Sequence, residues 1–313
     1  MEHSNQSIIT QFIIVGFPDV GEAQVLLFLL LSFCYAFTLS GNVTIITLIV
    51  THHHLHIPLY LLVAILSFLE IWYTTVTIPK MLTNLLDSKV ITYVGCLLQI
   101  YFFHSLGITE TFLLTAMAFD RYMAICNPLR YAAIMTILSC FKLAACCWAV
   151  GLLGPLTQII LLSHLLFCGP NNIEHIFCDF TPLMNLACSD ISLNVVVDFA
   201  INSFLLFLAF ICIIFSYFKI ISTVLKIKSS EGRKKAFSTC GAHLSVVSLF
   251  FGSVGFMYVR PIRTNSANYD RVMAVIYSVL TPMCNPIIYS LRNQEIRKVI
   301  RNKLKGNSTV FIK

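Results

Sequence analysis

VLLFLLLSFCYAFTLSGNVTIITLIV, residues 25–50, runs for 26 positions without a charged side chain. A hydrocarbon layer about 30 Å thick is crossed by about 20 apolar helical residues, so this stretch is long enough to span it. Working outward, comparable apolar runs lie at 59–79, 143–162, 199–218, 244–259 and 272–291, the first interrupted by Glu70 alone. A seventh, 96–124, is apolar around Glu110. The runs are continuous rather than alternating, which argues for helices and against a β-barrel. The composition agrees: hydrophobic residues make up 58% and charged residues 11% of 313, against about 25% charged in an ordinary soluble chain, and mean hydropathy is +0.83. A soluble globule, a disordered chain and a collagen-like fibre are excluded on those figures. The expected fold is an all-α bundle of seven transmembrane helices.

The organisation that follows is a tail at 1–22, a membrane domain at 23–292 and a second tail at 293–313. No short apolar segment with a basic lead and a small-residue cleavage site opens the chain, so the first helix is expected to be its own insertion signal. Sixteen of the 21 basic residues, from Arg121 and Arg130 through Lys226–Lys235 to the C-terminal tail, fall on one set of helix ends. The opposite ends carry Lys80, Lys89, Arg260, Arg263 and Arg271 beside nine acidic residues. Basic loops stay in the cytoplasm, which places the N-terminus outside and the C-terminus inside. The net charge of +7 then describes a basic inner face, and no nucleic-acid motif accompanies it. Four of the 12 cysteines, Cys96, Cys168, Cys178 and Cys188, lie at the outer ends, where an oxidising compartment allows pairing in any of three connectivities. Asn5 opens a glycosylation sequon on the outer tail; those at Asn42 and Asn307 fall inside a helix and on the inner side.

Specific strings sharpen the picture. The third run ends MAFDRYMAICNPLRY (117–131), the sixth is preceded by KAFSTCGAHL (235–244), and the seventh ends PMCNPIIYSLRN (282–293). With GN at 41–42, LHIPLY at 55–60 and SY at 216–217, these closely resemble the vertebrate olfactory receptors of the tetrapod-type class, a branch of the rhodopsin-like G-protein-coupled receptors. The similarity covers nearly the whole chain. It departs where Leu59, Glu70 and Phe251 stand in place of the usual Met, Asp and Tyr; Glu70 keeps the charge, whereas Phe251 loses a hydroxyl.

The resemblance implies an odorant receptor, not an enzyme, that binds small, mostly apolar volatile molecules and activates a stimulatory olfactory-type G protein to raise cyclic AMP. It also implies residence in the plasma membrane of olfactory sensory cilia. Asp120, Arg121 and Tyr122 sit where the third helix meets the cytoplasm; a carboxylate there can hold the arginine, and its release frees a five-donor fork for a partner. By resemblance, Tyr217, Lys235, His243, Phe251, Asn285, Pro286 and Tyr289 are the inner-face partners in that switch. Glu70 and Glu110 both fall near mid-membrane, where a carboxyl is costly unless protonated, paired or metal-bound. Either they share a proton as packing, or they hold a sodium ion with Asn42, Ser67 and Asn285 nearby. No other cofactor is expected.

On the third helix Phe103, His104, Gly107, Ile108 and Thr111 recur at three- and four-residue spacing and share a face. Resemblance turns that face inward, opposite Ile201, Asn202, Leu205 and Leu206 of the fifth helix, with Val254, Gly255 and Tyr258 of the sixth and Val275 and Ser278 of the seventh. Such a lining is apolar with a few polar handles, the profile of a small-molecule cavity, and micromolar-range sensing is expected from the apolar area a small ligand buries. The resemblance pairs Cys96 with Cys178 and Cys168 with Cys188. The histidines at 52, 53, 54 and 56 read as a solvated turn, since no Cys or carboxylate lies nearby in sequence. The tail after 293 reads as a basic interfacial helix on anionic lipid, with Ile296, Val299, Ile300 and Leu304 on one side.

Two other functions remain to be weighed. A cation transporter or channel using Glu70 and Glu110 would carry inverted repeats with broken helices, and none is visible. A non-olfactory rhodopsin-like receptor for amines would want an acid on the outer half of the third helix, and that stretch holds none above Glu110. HExxH and GxSxG are absent, which speaks against an intramembrane enzyme.

Overall fold

The computed structural model describes residues 10–17, 21–168, 170–258, 267–292 and 294–304. The apolar runs become α1 (Gln24–Thr51), α2 (Pro58–Leu85), α3 (Tyr93–Cys126), α5 (Ile137–Leu153) continued by α6 (Leu156–Ser163), α8 (Ser192–Leu225) and α9 (Ser230–Tyr258). The last rod is α10 (Ala267–Val275), a π-helical turn (Ile276–Leu280) and α11 (Thr281–Arg292). Short helices α4 (Pro128–Ile134) and α7 (Phe180–Met184) lie in connections, and α12 (Gln294–Leu304) ends the described chain. Seven rods are thus present among the described residues. Six are long and apolar enough to cross a membrane, and α9 carries a shorter apolar stretch, Cys240–Val254. The helices outrun the runs that announce them because hydropathy reports contact with lipid, whereas the helical hydrogen-bond ladder continues into polar ends.

Local chemistry sets several ends. Pro58 starts α2, where its missing N–H costs nothing. The hydroxyls of Thr92 and Thr136 accept from Gly95 N and Ser139 N at 3.1 Å and cap α3 and α5. Gly154 and Pro155 divide α5 from α6.

The bundle is arranged for a greasy surround. Phe199, Phe204, Phe207 and Phe218 of α8 are each about two-thirds exposed, while Asn42, Glu70, Glu110, Asp120, His243 and Asn285 are buried. Apolar outside and polar inside is the reverse of a soluble core, and it identifies a multi-pass membrane protein. Two glycines mark close helix contacts. A Cβ on Gly151 of α5 would overlap Thr109 Oγ1 and lie 2.6 Å from the Ser105 carbonyl oxygen, so α3 and α5 touch backbone to backbone there. A Cβ on Gly41 would meet the Pro286 ring at 3.0 Å, which seats α1 against α11.

At the Cys96 end a small sheet caps the bundle. Strand β1 (Gln11–Ile14) pairs antiparallel with β2 (Val90–Thr92) and parallel with β3 (Asn172–Ile173), in the order β2-β1-β3. Phe12 is fully buried and packs edge-on to Phe167 at 5.5 Å. Residues 11–14 of the N-terminal tail therefore belong to the folded cap. Disulfides Cys96–Cys178 and Cys168–Cys188, with Cα atoms 5.4 and 5.7 Å apart, tie the loop between α6 and α8 to α3 and to itself. At the other end Ile296 and Val299 of α12 are buried while Arg297, Lys298 and Arg301 are exposed.

Candidate functional site

Beneath the cap lies a cavity of about 80 Å³, room for roughly five to eight waters by the same measure. From α3 it is lined by Phe103, His104, Gly107, Ile108 and Thr111, which stand three and four residues apart and so share one helix face. Asn202, Leu205 and Leu206 of α8 form the facing wall, and Phe250 and Val254 of α9 close a third side. Tyr73 of α2 and Tyr277 of the π-helical turn complete it. Gly107 makes room: a Cβ there would meet nothing closer than Tyr73 Cε2 at 3.9 Å.

Nine of the residues expected from sequence line this cavity; three do not. Ile201 sits a turn above Leu205 outside the wall, Val275 packs into the main core, and Ser278 is fully buried with its hydroxyl donated to Ala274 O at 2.5 Å. The π-helical turn is the physical reason for the last two. One extra residue per turn rotates the rod's inner face, and Tyr277 takes the position that a 3.6-residue register gives to its neighbours. Gly255 and Tyr258 lie in the last turn of α9, outside the described side chains. Tyr73 and Phe250 escape a reading by motif, although Tyr73 stands three residues from Glu70 and Phe250 four from Val254, spacings that share a face.

The loop roofs the cavity. Cys178 N donates to Gln99 Oε1 at 2.9 Å, and Gln99 Nε2 in turn donates to Val76 O at 2.8 Å. The Phe177 ring stands 5.0 Å from Phe103, which is 5.1 Å from Tyr73 and 5.5 Å from Tyr277. His104 Nε2 donates to Asp179 Oδ1 at 2.9 Å, and Phe180 N donates to the same oxygen at 2.8 Å. Burial works to raise the Asp179 carboxyl, but the bonds from His104 and Phe180 outweigh it, and the group stays below the usual carboxylate range. His175, buried in the same loop, is held below the ordinary histidine value by desolvation. Arg271 Nη2 donates to Glu174 Oε2 at 2.9 Å and joins the loop to α10.

At the opposite end Arg121 donates from Nη2 and Nε to Asp120 Oδ2 at 3.0 and 3.2 Å. Tyr131 of α4 donates to Asp120 Oδ1 at 2.9 Å. Burial and the Asp120 carboxylate push this phenol far above the usual tyrosine value, so it remains a donor. His243 Nε2 lies 3.0 Å from Leu114 O and must carry the proton; its Nδ1 therefore accepts from Tyr217 OH at 2.7 Å. Tyr289 OH reaches Met117 Sδ at 3.9 Å, Tyr122 lies against the Phe119 ring, and Phe251 packs on Phe210 and Phe250. Pro286 stands inside α11. The Lys235 side chain and Asn5 lie outside the described residues.

Between the two ends Glu70 and Glu110 are buried side by side, and Asn285 Nδ2 donates to Glu70 Oε1. Among the described residues Glu70 Oε2, Glu110 Oε1, Asn42 Oδ1 and Asn285 Oδ1 are buried without a hydrogen-bond partner, and Ser67 is buried on α2. Among the described residues no group of three or more His, Cys, Asp or Glu converges on one point. The histidine run instead serves the end of α1: His52 Nδ1 and His56 Nε2 bond Leu48 O and Val50 O at 2.9 and 3.2 Å.

Comparison with known proteins places this geometry in a lineage. A family profile described as olfactory receptor matches residues 31–306. Human olfactory receptor 6N1 is 53% identical over 306 residues, covering 97% of this chain and 98% of its own. Human olfactory receptors 6K3 and 6K2 are each 48% identical, covering 96% and 99% of this chain and 91% and 96% of theirs. Squid rhodopsin superposes with a TM-score of 0.72 at 17% identity, over 94% of this chain and 88% of its own, which shows the fold.

Proposed function

The chain belongs to the olfactory receptor family, and from that membership we propose that it binds small, mostly apolar volatile molecules in the cavity between α3, α8 and α9. Occupancy there activates a stimulatory olfactory-type G protein and raises cyclic AMP. The observation that carries this reading is the cavity itself: set beneath a disulfide-pinned loop, walled mainly by apolar side chains, and widened by a glycine on one wall. The cap and the N-terminus face outward, with Asn5 glycosylated, and the end bearing Asp120 and Arg121 faces the cytosol of an olfactory cilium. In that orientation ligand and G protein meet opposite ends of α3, and the rod they share couples them. Release of Arg121 from Asp120, together with movement of Tyr217, His243 and Tyr289, opens the inner face, a two-state change whose balance the ligand shifts by binding one state better.

The buried carboxyls fit a small hard cation: four orphaned oxygens from Glu70, Glu110, Asn42 and Asn285 are the donor chemistry that sodium takes. A bound ion would supply positive charge to that pair of acids. The residues themselves join α11 to α2 through the Asn285 amide on Glu70, and α2 to α3 where Glu70 meets Glu110.

A cyclic-AMP screen of cells expressing the chain against a diverse volatile panel tests the function, with Arg121→Ala as control. A ligand-dependent rise in the parent that vanishes in the variant is expected. A rise that persists in the variant contradicts the switch, and silence toward the whole panel contradicts the function.

A further inference from the structure

Three polar side chains of the cavity wall, His104, Asn202 and Thr111, have a property in common: each gives a donor to the protein and keeps an acceptor. Asp179 is a carboxylate and only accepts, so the His104 proton it receives is on Nε2. In the neutral ring Nδ1 is then an acceptor, and among the described residues no protein donor bonds it. Asn202 Nδ2 donates to Asp198 Oδ1 at 2.8 Å, and Gln158 Nε2 donates to the same oxygen at 2.9 Å. This fixes the amide with nitrogen toward Asp198 and, among the described residues, leaves Oδ1 without a donor. The single proton of Thr111 goes to Gly107 O at 2.8 Å, leaving lone pairs. Neither Asp179 nor Asp198 lines the cavity, so among the described residues no bare carboxylate waits there for an ammonium, whose desolvation would go uncompensated.

We propose that the cavity selects its ligand by a hydroxyl: a neutral alcohol or phenol on an apolar body, its proton given to His104 Nδ1 with Asn202 and Thr111 completing the polar shell. This rests on the reading of the cavity as the odorant site. Among the three side chains, the donor left over is the second N–H of Asn202, which suits the hydroxyl's own lone pair. A hydroxyl thus satisfies both kinds of group, whereas an ether or ketone can accept the Asn202 N–H but has no proton for His104 Nδ1. Asp179 and Asp198 are positioning residues in this scheme, the first holding the histidine tautomer and the second the amide orientation.

The test uses matched sets on n-octyl, 2-phenylethyl and bornyl skeletons, each as alcohol, methyl ether and hydrocarbon, read as half-maximal concentration for cyclic AMP in cells sorted for equal surface receptor. The parent is expected to prefer the alcohol by about tenfold or more, the worth of one buried neutral hydrogen bond and its orphaned partner. His104→Phe keeps a ring without an acceptor; its alcohol-to-ether ratio should fall to within about twofold while the ether response persists. A folding defect lowers all responses together and does not change that ratio. His104→Asn keeps an acceptor near the Nδ1 position and should retain the preference, and Asp179→Ala should weaken it. Should His104→Phe fail to reach the surface, His104→Leu, which also lacks an acceptor, is read in its place with the same expectation. Equal response of the parent to alcohol and ether, or an undiminished preference in the acceptor-free variant, overturns the proposal. Gly107→Leu separates the layers. If it abolishes every response while alcohols hold no advantage, only the hydroxyl selection falls. If responses survive it unchanged, or the parent is silent to the whole panel, the odorant site falls as well and takes the selection with it.

Discussion

Filling the cavity from Gly107 is the perturbation whose outcome can be worked out most fully. The position is on α3, and an added Cβ meets only Tyr73 Cε2 at 3.9 Å, an ordinary contact. Gly107→Ala therefore introduces no clash, and replacing a mid-helix glycine by alanine favours the helix by up to about 1 kcal/mol. Each added carbon takes space that a ligand carbon would otherwise occupy. At about 0.8 kcal/mol per buried methylene, one carbon (Ala) weakens binding about fourfold, three (Val) about sixtyfold and four (Leu) about 200-fold. The cavity of about 80 Å³ is small enough that four carbons displace roughly half of its contents. The assay is a cyclic-AMP dose–response for one activating ligand across the three variants, with surface receptor quantified by antibody labelling. A graded rightward shift at constant surface level is expected. A Leu variant that reaches the surface and keeps the parent's sensitivity refutes the placement of the ligand.

Other perturbations follow from the same contacts. Gly151→Ala drives a Cβ into Thr109 and into the Ser105 carbonyl, so a loss of about 1–3 kcal/mol is expected as a lower melting temperature of the solubilised receptor; because the backbone clash remains, adding Thr109→Ala should restore only part of it. Tyr131→Phe removes one of the donors that hold Asp120, a loss of about 1.5 kcal/mol that should raise ligand-independent cyclic AMP, and an unchanged basal level would count against the lock. His175 is held neutral by burial, with Asp179 and Asp270 opposing and Arg271 assisting. A base with a depressed folded pKa loses stability as pH falls below its unfolded value near 6.5, since only the unfolded chain takes up the proton. Melting temperature should therefore drop from pH 7 to pH 5, and less so in His175→Asn.

Much of the architecture could be read from the sequence because membrane insertion sums hydropathy over some 20 positions, so single exceptions such as Glu70 and Glu110 do not erase a span. The cap could not. Four residues of β1 pair with strands about 80 and 160 positions away, and nothing local announces such partners. Helical spacing alone showed that Phe103, His104, Gly107, Ile108 and Thr111 share a face of α3, and the resemblance turned that face inward. The resemblance set Val275 and Ser278 of the last rod in the wall, and the π-helical turn at Ile276–Leu280, which departs from 3.6 residues per turn, brings Tyr277 there instead. The lock was half visible: Asp120 and Arg121 are adjacent in sequence, whereas Tyr131 reaches the carboxylate only because α4 folds back beside α3. The wall acceptors became apparent only with the partners of His104 and Asn202 in place.

The most direct measurement of the central claim is nucleotide exchange by a stimulatory heterotrimeric G protein reconstituted with the purified receptor in lipid nanodiscs, with and without an activating volatile. Saturable, ligand-dependent acceleration that is lost in both Gly107→Leu and Arg121→Ala is expected. Exchange that is indifferent to ligand, or acceleration that survives the filled cavity, would contradict that claim.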